Sequence, residues 1–329
     1  MSHNQTTARP GLHLAGLLLC LLFPLSTKAA VPETEDPIVI VENNWTSQKV
    51  ISRIVQRLLN RAGYRTSLLK IDTQSQFEAI GTGEAHLQME IWQASMHSSF
   101  QEQIAAGRMI DAGSHSATTR EDWWYPDYVE EICPELPDYR ALNICAEKLA
   151  TAETTPNAQY VSGPSEWHPE DLERIKSLGL NVTIVNKDSI ESLFESLKYA
   201  AARKEPIVIF NWTPNWTGAI FPGKFIEFPP RDKENRCTLD PAWGINPQMT
   251  NDCGSITGSY LKKGLWAGFP NKFPCANELI MAISFSKQMI ETAAAFVDAE
   301  DLSHDDAAET WLSMYKEVAQ NWMPSCSRQ

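Results

Sequence analysis

Residues 38–47 have the sequence IVIVENNWTS, in which four β-branched residues lead into a polar turn. Such an apolar run predicts a short strand that is buried on both faces. Thr46 or Ser47 can cap a following helix, and Gly63 can end it. The apolar residues of that helix recur at helical spacing: Val50, Ile51, Ile54, Val55 and Leu58. A strand followed directly by a helix is the repeating unit of α/β folds.

The same alternation continues along the chain and predicts an α/β fold with a largely parallel sheet. Further strands are expected at residues 65–71, 86–92, 160–164, 182–185 and 206–210. Helices are expected at residues 75–82, 138–149, 168–179, 189–204, 277–289, 290–298 and 307–323. Residues 108–114 are predicted as a strand or crossover, residues 118–126 as a loop or strand edge, and residues 223–257 as irregular.

Residues 1–29 have the composition of a secretory signal peptide, with an apolar core over 11–25 and small residues Thr27 and Ala29 before the cleavage point. The apolar core is too short for a comfortable membrane span. Bulky Leu19 precedes Cys20, which argues against a lipoprotein anchor. We therefore expect an exported, periplasmic protein.

The net charge excludes one large class of partner. The chain carries a formal charge of −13, and removal of residues 1–29, which contain Arg9 and Lys28 and no acidic residue, makes it −15. Nucleic-acid binding depends on Lys and Arg that neutralise phosphates, so no nucleic-acid partner is expected. The acidity mainly favours solubility, and it weakly attracts small cations.

Six cysteines remain after the predicted cleavage, an even number that suggests up to three disulfides in an exported protein. The simplest pairing is Cys133–Cys145, Cys237–Cys253 and Cys275–Cys326, although six cysteines allow about 15 pairings. None of them has the spacing of a zinc site, so no metal or other cofactor is predicted.

The tryptophans are placed in an unusual way. The chain has 11 Trp, and several follow predicted strands. These are Trp45, Trp92 and Trp212, with Trp123 and Trp124 at the start of the second α/β series and Trp216 four residues after Trp212. Ligands of open α/β sheets bind at the carboxyl ends of strands. Each tryptophan taken alone is more simply a core residue, but together they predict an aromatic binding site.

A set of indole rings suits a methylated cation. The ring faces are electronegative, and each contact with a cation contributes about 0.5–2 kcal/mol. A trimethylammonium group makes no strong hydrogen bonds, so aromatic rings replace its water well. Five other tryptophans lack this placement and are expected to be structural: Trp167, Trp243, Trp266, Trp311 and Trp322.

Five segments in order carry a resemblance to a known family. They are NNWTSQ at 43–48, EIWQASM at 90–96, WWYPDYV at 123–129, GPSEW at 163–167 and NWTPNW at 211–216. Together they resemble substrate-binding proteins of ABC transporters for glycine betaine, choline or trimethylamine N-oxide. The resemblance covers residues from about Ile38 to Trp216 and implies a binding function, not an enzyme.

This resemblance implies a type II periplasmic binding fold, with two lobes that are each a sheet flanked by helices and a ligand cleft between them. We expect the signal peptide at 1–29, lobe 1 at 30–114, lobe 2 at 115–223, and a return to lobe 1 with C-terminal helices at 224–329. The implied partners are a small methylated amine (glycine betaine, choline, carnitine or trimethylamine N-oxide) and a membrane permease with its cytoplasmic ATPase.

The implied cage positions are Trp45, Trp92, Trp124 (or its neighbours Trp123 and Tyr125) and Trp212, with Trp216 as a further wall. Some choline binders carry an aspartate two residues after the first tryptophan, where this chain has Ser47. The turn Gly163–Ser165 could offer backbone N–H groups to a ligand carboxylate, which Glu166 would repel.

Acidic residues near the expected site are Glu90, Glu121, Asp122, Asp127, Glu130 and Glu131, most of which are expected to belong to a solvated face. Glu90 is the best ligand candidate because it lies on the strand that carries Trp92, provided that this strand is regular. Two alternatives stay open: an exported enzyme that uses Glu or Asp pairs, and a sensory ectodomain of the same fold.

Overall fold

The structure is a computed structural model that describes residues 1–3, 31–165, 167–168, 170–230 and 253–327. Of the predicted signal peptide, only residues 1–3 are described. Cys20 lies outside the described residues. From Val31 onward the described residues form a sheet of nine strands flanked by helices. None of the helices in this part of the chain is long and apolar enough to cross a bilayer.

Nine strands form the sheet in the order β2-β1-β3-β9-β4-β7-β5-β6, with β8 paired to β4. They are β1 Ile38–Glu42, β2 Thr66–Lys70, β3 Leu87–Trp92, β4 Met109–Pro126, β5 Ala158–Ser162, β6 Val182–Asn186, β7 Val208–Thr213, β8 Gly223–Phe225 and β9 Ser259–Trp266.

The helices lie at the positions that the sequence predicts in most cases. Within the described residues they are α1 Thr46–Arg61, α2 Gln76–Thr82, α3 Gln93–Ala105, α4 Ala141–Ile144, α5 Asp171–Leu178, α6 Ile190–Arg203, α7 Thr217–Ile220, α8 Phe269–Lys272, α9 Pro274–Ala282, α10 Lys287–Asp298, α11 His304–Met314 and α12 Lys316–Trp322. Short 3-10 turns lie at Asp127–Glu131 and Ser325–Ser327.

The sheet has two parallel parts. We call β2-β1-β3 the first half and β7-β5-β6 the second half; the neighbouring strands within each are parallel. Two long antiparallel strands connect them, because β9 pairs with β3 and β4, and β4 goes on to pair with β7. The predicted lobe bounds at residues 114 and 223 stay predictions, and β4 runs across the first of them.

The strand–helix unit at residues 38–61 forms as predicted. All five apolar residues that recur at helical spacing in α1 are buried, and they face the core of the first half. Burial of a Val, Leu or Ile side chain contributes about 1.5–3 kcal/mol, so this stripe fixes the helix against the sheet. The C-terminal helices α10 and α11 also pack against α1.

Strand β9 is absent from the sequence prediction, and a buried lysine explains why. Its sequence, SYLKKGLW, contains two adjacent lysines, and this makes the segment look polar. The Lys263 side chain is buried, and its ammonium group donates to the carbonyls of Ile280 (2.9 Å), Met281 (3.2 Å) and Ile283 (2.6 Å). The amine therefore caps the C-terminal end of α9, where cations are favoured.

Two other expectations need correction. Residues 118–126, predicted as a loop or strand edge, form the second part of β4 and pair with β7 and β8. The helix predicted at 138–149 is regular only over Ala141–Ile144. Within that helix the Asn143 side chain bonds outward, because it donates to Gly179 O and accepts from Asn181 N.

Two of the three predicted disulfides are confirmed: Cys133–Cys145 and Cys275–Cys326. Cys253 is also disulfide-bonded, and its predicted partner Cys237 lies outside the described residues. The second confirmed bond ties the 3-10 turn near the end of the chain to the start of α9.

Removal of either confirmed disulfide should destabilise the protein, and the longer loop should cost more. The bonds span 12 and 51 residues of sequence. Loop-closure entropy then predicts losses of about 3 kcal/mol for Cys133→Ala/Cys145→Ala and about 4 kcal/mol for Cys275→Ala/Cys326→Ala. Urea unfolding of the two double variants without reductant measures this difference. Equal losses, or the reverse order, would contradict the loop-entropy explanation.

Candidate ligand-binding site

A pocket of about 90 Å³ takes side chains from both halves of the sheet. Four tryptophans line it, and we call them the four pocket tryptophans: Trp45, Trp92, Trp167 and Trp212. The other lining residues are Thr73, Gln74, Phe77, Ser95, Met96, Ser99, Glu121, His168 and Phe210. No Lys or Arg is among these lining residues, so a ligand here meets aromatic faces, one acid and small polar groups.

Trp45 and Trp92 stand at equivalent points of the first half. Each has extended backbone angles and is the N-cap residue of the next helix, α1 or α3. The chain therefore leaves the sheet at each tryptophan, and this brings both indoles to the carboxyl ends of β1 and β3. The sequence predicted both placements from the strand ends.

Glu90 lies behind these two indoles and is not among the lining residues. Its Oε2 accepts hydrogen bonds from Trp45 Nε1 (2.6 Å), Ser47 Oγ (3.1 Å) and Trp92 Nε1 (3.3 Å). Burial raises the pKa of Glu90 to about 7, and these three donors oppose that rise. Glu90 was predicted as a ligand contact, but the structure places it where it contacts the rings instead.

The second half supplies a cluster of rings around Trp212. Trp167, Phe194 and Phe210 contact it with centroid distances of 6.2, 5.2 and 5.7 Å. The tilted and edge-to-face arrangements are those that aromatic pairs prefer. Gly163 makes room for Trp167, since a Cβ on that glycine would come within 2.7 Å of the indole.

Trp167 is the pocket tryptophan that sequence reasoning missed. It was treated as structural because it does not follow a predicted strand directly. The structure shows that β5 ends at Ser162 and that the chain turns back toward the pocket through Gly163. The sequence signal that could have revealed this placement is Gly163, which follows a strand and precedes Trp167 by four residues.

Glu121 brings a carboxyl group to the pocket lining, and among the described lining residues no other does so. Ser95 Oγ donates to its Oε1 at 2.9 Å, and Oε2 is buried and has no hydrogen-bond partner among the described residues. Burial raises the pKa of Glu121; His168 and Ser95 oppose this, and Glu170 adds to it. Glu121 is therefore protonated over a wider pH range than an exposed glutamate, and a protonated carboxyl can donate a hydrogen bond.

His168 lies beside this carboxyl in the lining. Its Nδ1 is 3.0 Å from Glu170 Oε1. Burial lowers its pKa, but the hydrogen bond to Glu170 and the nearby charges of Asp171 and Glu121 outweigh burial and raise it. One end of the pocket thus gathers hydrogen-bond donors, while the tryptophans form its walls.

Three of the predicted cage tryptophans lie away from the pocket lining. Trp124 packs on Gly223, where a Cβ would come within 1.9 Å of the ring. Trp123 stacks on Tyr160 at 3.8 Å and donates to Asp171 at 2.9 Å. Because successive residues of β4 point to opposite faces, the two neighbours enter different parts of the core.

Trp216 is also enclosed in the core, 1% exposed, against Phe194 and Phe221. Tyr125 is fully buried, and its hydroxyl donates to Glu130 at 2.8 Å. Ser165 is exposed and is not among the pocket lining, and Glu166 lies outside the described residues. The helix after that turn begins only at Asp171, so the turn does not sit at a helix N-terminus.

The fold is that of the type II periplasmic binding proteins, as solved structures with the same architecture show. A glycine betaine/L-proline-binding protein of an ABC transporter from Borrelia burgdorferi matches with a TM-score of 0.69 at 15% identity, covering 89% of this chain and 98% of that chain. An ABC-transporter choline-binding protein in complex with choline matches with a TM-score of 0.67 at 15% identity, covering 88% and 92%. At such low identity these matches show the shared fold.

The chain belongs to the OpuAC family, the substrate-binding domain of ABC-type glycine betaine transport systems, whose model matches residues 36–314. A trimethylamine N-oxide-binding protein of Pelagibacter ubique (strain HTCC1062) is 34% identical over an alignment of 324 positions that covers 94% of this chain and 98% of that protein. Since the family consists of binding proteins, the alternative of an exported enzyme is wrong.

Replacement of Glu121 by Gln should stabilise the ligand-free protein more at pH 8 than at pH 5. The native pKa of Glu121 is raised, so its contribution to stability is largest below its ordinary pKa and is lost as pH rises through the raised value. Gln does not ionise and avoids that loss. We expect the melting-temperature difference between variant and wild type to be larger at pH 8 than at pH 5.

Glu195→Gln, at an exposed position of α6, is the matched control and should show no such growth. A Glu121→Gln difference that stays constant between pH 5 and pH 8 would show that the carboxyl titrates alike in the folded and unfolded chains.

Proposed function

We propose that this protein is the periplasmic binding subunit of an ABC importer and that its ligand is trimethylamine N-oxide. The observation that carries the proposal is a small pocket walled by four tryptophans with one buried carboxyl in its lining. The 34% identity to a protein named for this ligand supports the same choice.

Size favours a compact ligand. The pocket volume is about 90 Å³, whereas an apolar cavity of about 150 Å³ accommodates benzene. Trimethylamine N-oxide has fewer heavy atoms than benzene, and glycine betaine, choline and carnitine all have more. The four pocket tryptophans can contact the three methyl groups, each with an attraction of about 0.5–2 kcal/mol for the cationic nitrogen.

Hydrogen-bond chemistry favours an N-oxide over a carboxylate. The oxygen of trimethylamine N-oxide is a strong acceptor, and protonated Glu121 can donate to it through the unpartnered Oε2. The carboxylate of glycine betaine is larger and more negative than the N-oxide oxygen, and the described lining contains no Lys or Arg that could pair with it. His168 can share the ligand oxygen, because its pKa is raised despite its burial.

The site also supplies a reason for closure on the ligand. Ser95 belongs to α3 beside the first half, and Glu121 belongs to the part of β4 that pairs with the second half. Their hydrogen bond joins the two sides next to the ligand's oxygen. A ligand that contacts tryptophans from both halves stabilises the conformation in which all four are present. The closed protein then docks on a membrane permease, and a cytoplasmic ATPase drives release.

The pocket tryptophans should contribute to binding while tryptophans elsewhere do not. Trp212→Ala and Trp167→Ala should each weaken trimethylamine N-oxide binding at least tenfold, because each removes one aromatic wall. Isothermal titration calorimetry of folded, ligand-free protein measures the change. Trp124→Phe is the control, since that ring packs on Gly223 outside the lining, and its Kd should stay within about threefold of wild type.

A ligand panel tests the choice of ligand. Trimethylamine N-oxide at about 100 times its Kd should stabilise the protein by about 2.7 kcal/mol, seen as a higher melting temperature. Glycine betaine, choline and carnitine should stabilise it less, and tert-butanol, which has the same shape without the charged nitrogen, should hardly do so. If choline or glycine betaine raised the melting temperature more than trimethylamine N-oxide, that compound would be the ligand instead. If none of the compounds raised the melting temperature, the aromatic site would be rejected.

A further inference from the structure

We propose that Glu90 is a positioning residue for the binding site: its carboxylate anchors the N–H edges of Trp45 and Trp92 and, when ionised, strengthens the attraction of their faces for a cationic methylammonium group. The effect on affinity rests on the proposed function, whereas the anchoring does not. Glu90 acts through the two rings and not by contact with the ligand, because it is fully buried outside the pocket lining.

The geometry concentrates three donors on one oxygen. Two of the four pocket tryptophans donate their indole N–H to Glu90 Oε2, and Ser47 adds a hydroxyl. Hydrogen bonds to an ionised acceptor are roughly twice as strong as neutral ones, so ionised Glu90 holds the N–H groups of Trp45 and Trp92 more firmly than protonated Glu90 does. With both N–H edges fixed at one oxygen, the two rings hold one mutual orientation at the pocket wall.

An irregularity in strand β3 lies at the residue that carries this carboxylate. The pairing of β3 with β9 changes register between Gln88 and Ile91, so the ladder is interrupted at Met89 and Glu90. Gln88 Oε1 accepts from the backbone N–H groups of both residues, at 2.7 Å from Met89 and 3.0 Å from Glu90. The side chain of Gln88 is held in turn by Gln48 (3.0 Å).

A charge at the N–H edge acts on the ring face. A negative group bonded to the indole N–H pushes electron density into the ring, and in a site of low dielectric such polarisation is stronger than in water. The face of each indole attracts cations through this density. A permanent cationic nitrogen between Trp45 and Trp92 therefore favours the ionised form of Glu90, so ligand binding should release a proton from it.

Several titratable groups on the elements around Glu90 have partners of their own. On the neighbouring elements these groups are Glu42 of β1, Lys49 and Arg53 of α1, His97 and Glu102 of α3, Asp111, His115 and Glu121 of β4, and Lys262 and Lys263 of β9. Glu42 pairs with Arg53, Lys262 with Asp111, and His115 bonds to Met89 O. Burial, which raises the pKa of Glu90 to about 7, is therefore opposed chiefly by Trp45, Ser47 and Trp92.

The anchoring is tested first without ligand. In ¹⁵N-labelled protein, the indole N–H resonances of Trp45 and Trp92, assigned with Trp45→Phe and Trp92→Phe, should shift together with a midpoint near pH 7. In Glu90→Gln both should be independent of pH between 5.5 and 8.5. Resonances that do not titrate in wild type, or that titrate equally in Glu90→Gln, would overturn the proposal whatever ligand the protein binds.

Affinity is tested by measuring Kd for trimethylamine N-oxide between pH 5.5 and 8.5. Protonated Glu121 favours binding at low pH and ionised Glu90 favours it at high pH, so wild-type affinity should pass through a maximum. Glu121→Gln should weaken the fall in affinity at high pH, to which His168 also contributes, and Glu90→Gln should remove the rise. At pH 8 Glu90→Gln should bind about tenfold more weakly than wild type.

Stability separates this role from a structural one. The folded pKa of Glu90 lies above its ordinary value, so its contribution to stability is lost as pH rises from about 4.5 to about 7. Glu90→Gln should therefore melt at the same temperature as wild type or higher at pH 8, although it binds more weakly. A lower melting temperature together with a Kd profile parallel to that of wild type would overturn the proposal and leave Glu90 as a structural residue.

Failure of the proposed function has a different signature. If none of the methylated amines binds wild type, but the two indole resonances shift with pH in wild type and not in Glu90→Gln, the anchoring role of Glu90 is supported and the ligand assignment is wrong.

Discussion

A buried indole N–H group favours a hydrogen-bond acceptor inside the protein, and this preference shapes the walls of the pocket, although Trp216 Nε1 is buried without a partner among the described residues. A ring that turns its face to a ligand turns its N–H edge into the protein, where no water is available. Trp45 and Trp92 satisfy this preference with a shared carboxylate, and Trp123 satisfies it with Asp171. The cost of burying Glu90 is thus tied to the orientation of the rings that the ligand would contact.

Much of the fold could be predicted from the sequence because its signals are local. The β-branched run at 38–41 and the helical spacing after it mark β1 and α1, and similar patterns mark most other elements. Strand β9 could not be found this way, since Lys263 looks exposed until the carbonyls at the end of α9 are in place. Segment 138–149 has helical residues, but Asn143 bonds to neighbouring chain that the sequence does not reveal.

The candidate site was predictable to the extent that strand ends determine it. Trp45 and Trp92 come together because the parallel strands β1 and β3 present their carboxyl ends at one edge. Strand β7 runs opposite to β3, and Trp212 lines the same pocket from its carboxyl end in the second half. Trp124 does not join them, because the close approach of Gly223 leaves a space on the other side that its ring fills. Whether Glu90 or Glu121 reaches the pocket depends on a register break in β3 and on the path of β4, and neither is visible in residue types.

Strand β4 runs without a break from the first half to the second, and its pairing with β9 shifts register twice between Asp111 and Thr118. A ladder interrupted in this way bends and twists more easily than a regular one. Rotation of one half against the other would therefore be absorbed within a few residues near Gly113, whose positive φ of 87° already marks a bend. The rate at which the protein releases a bound ligand would then depend on the stiffness of this short segment as well as on the contacts that the tryptophans make.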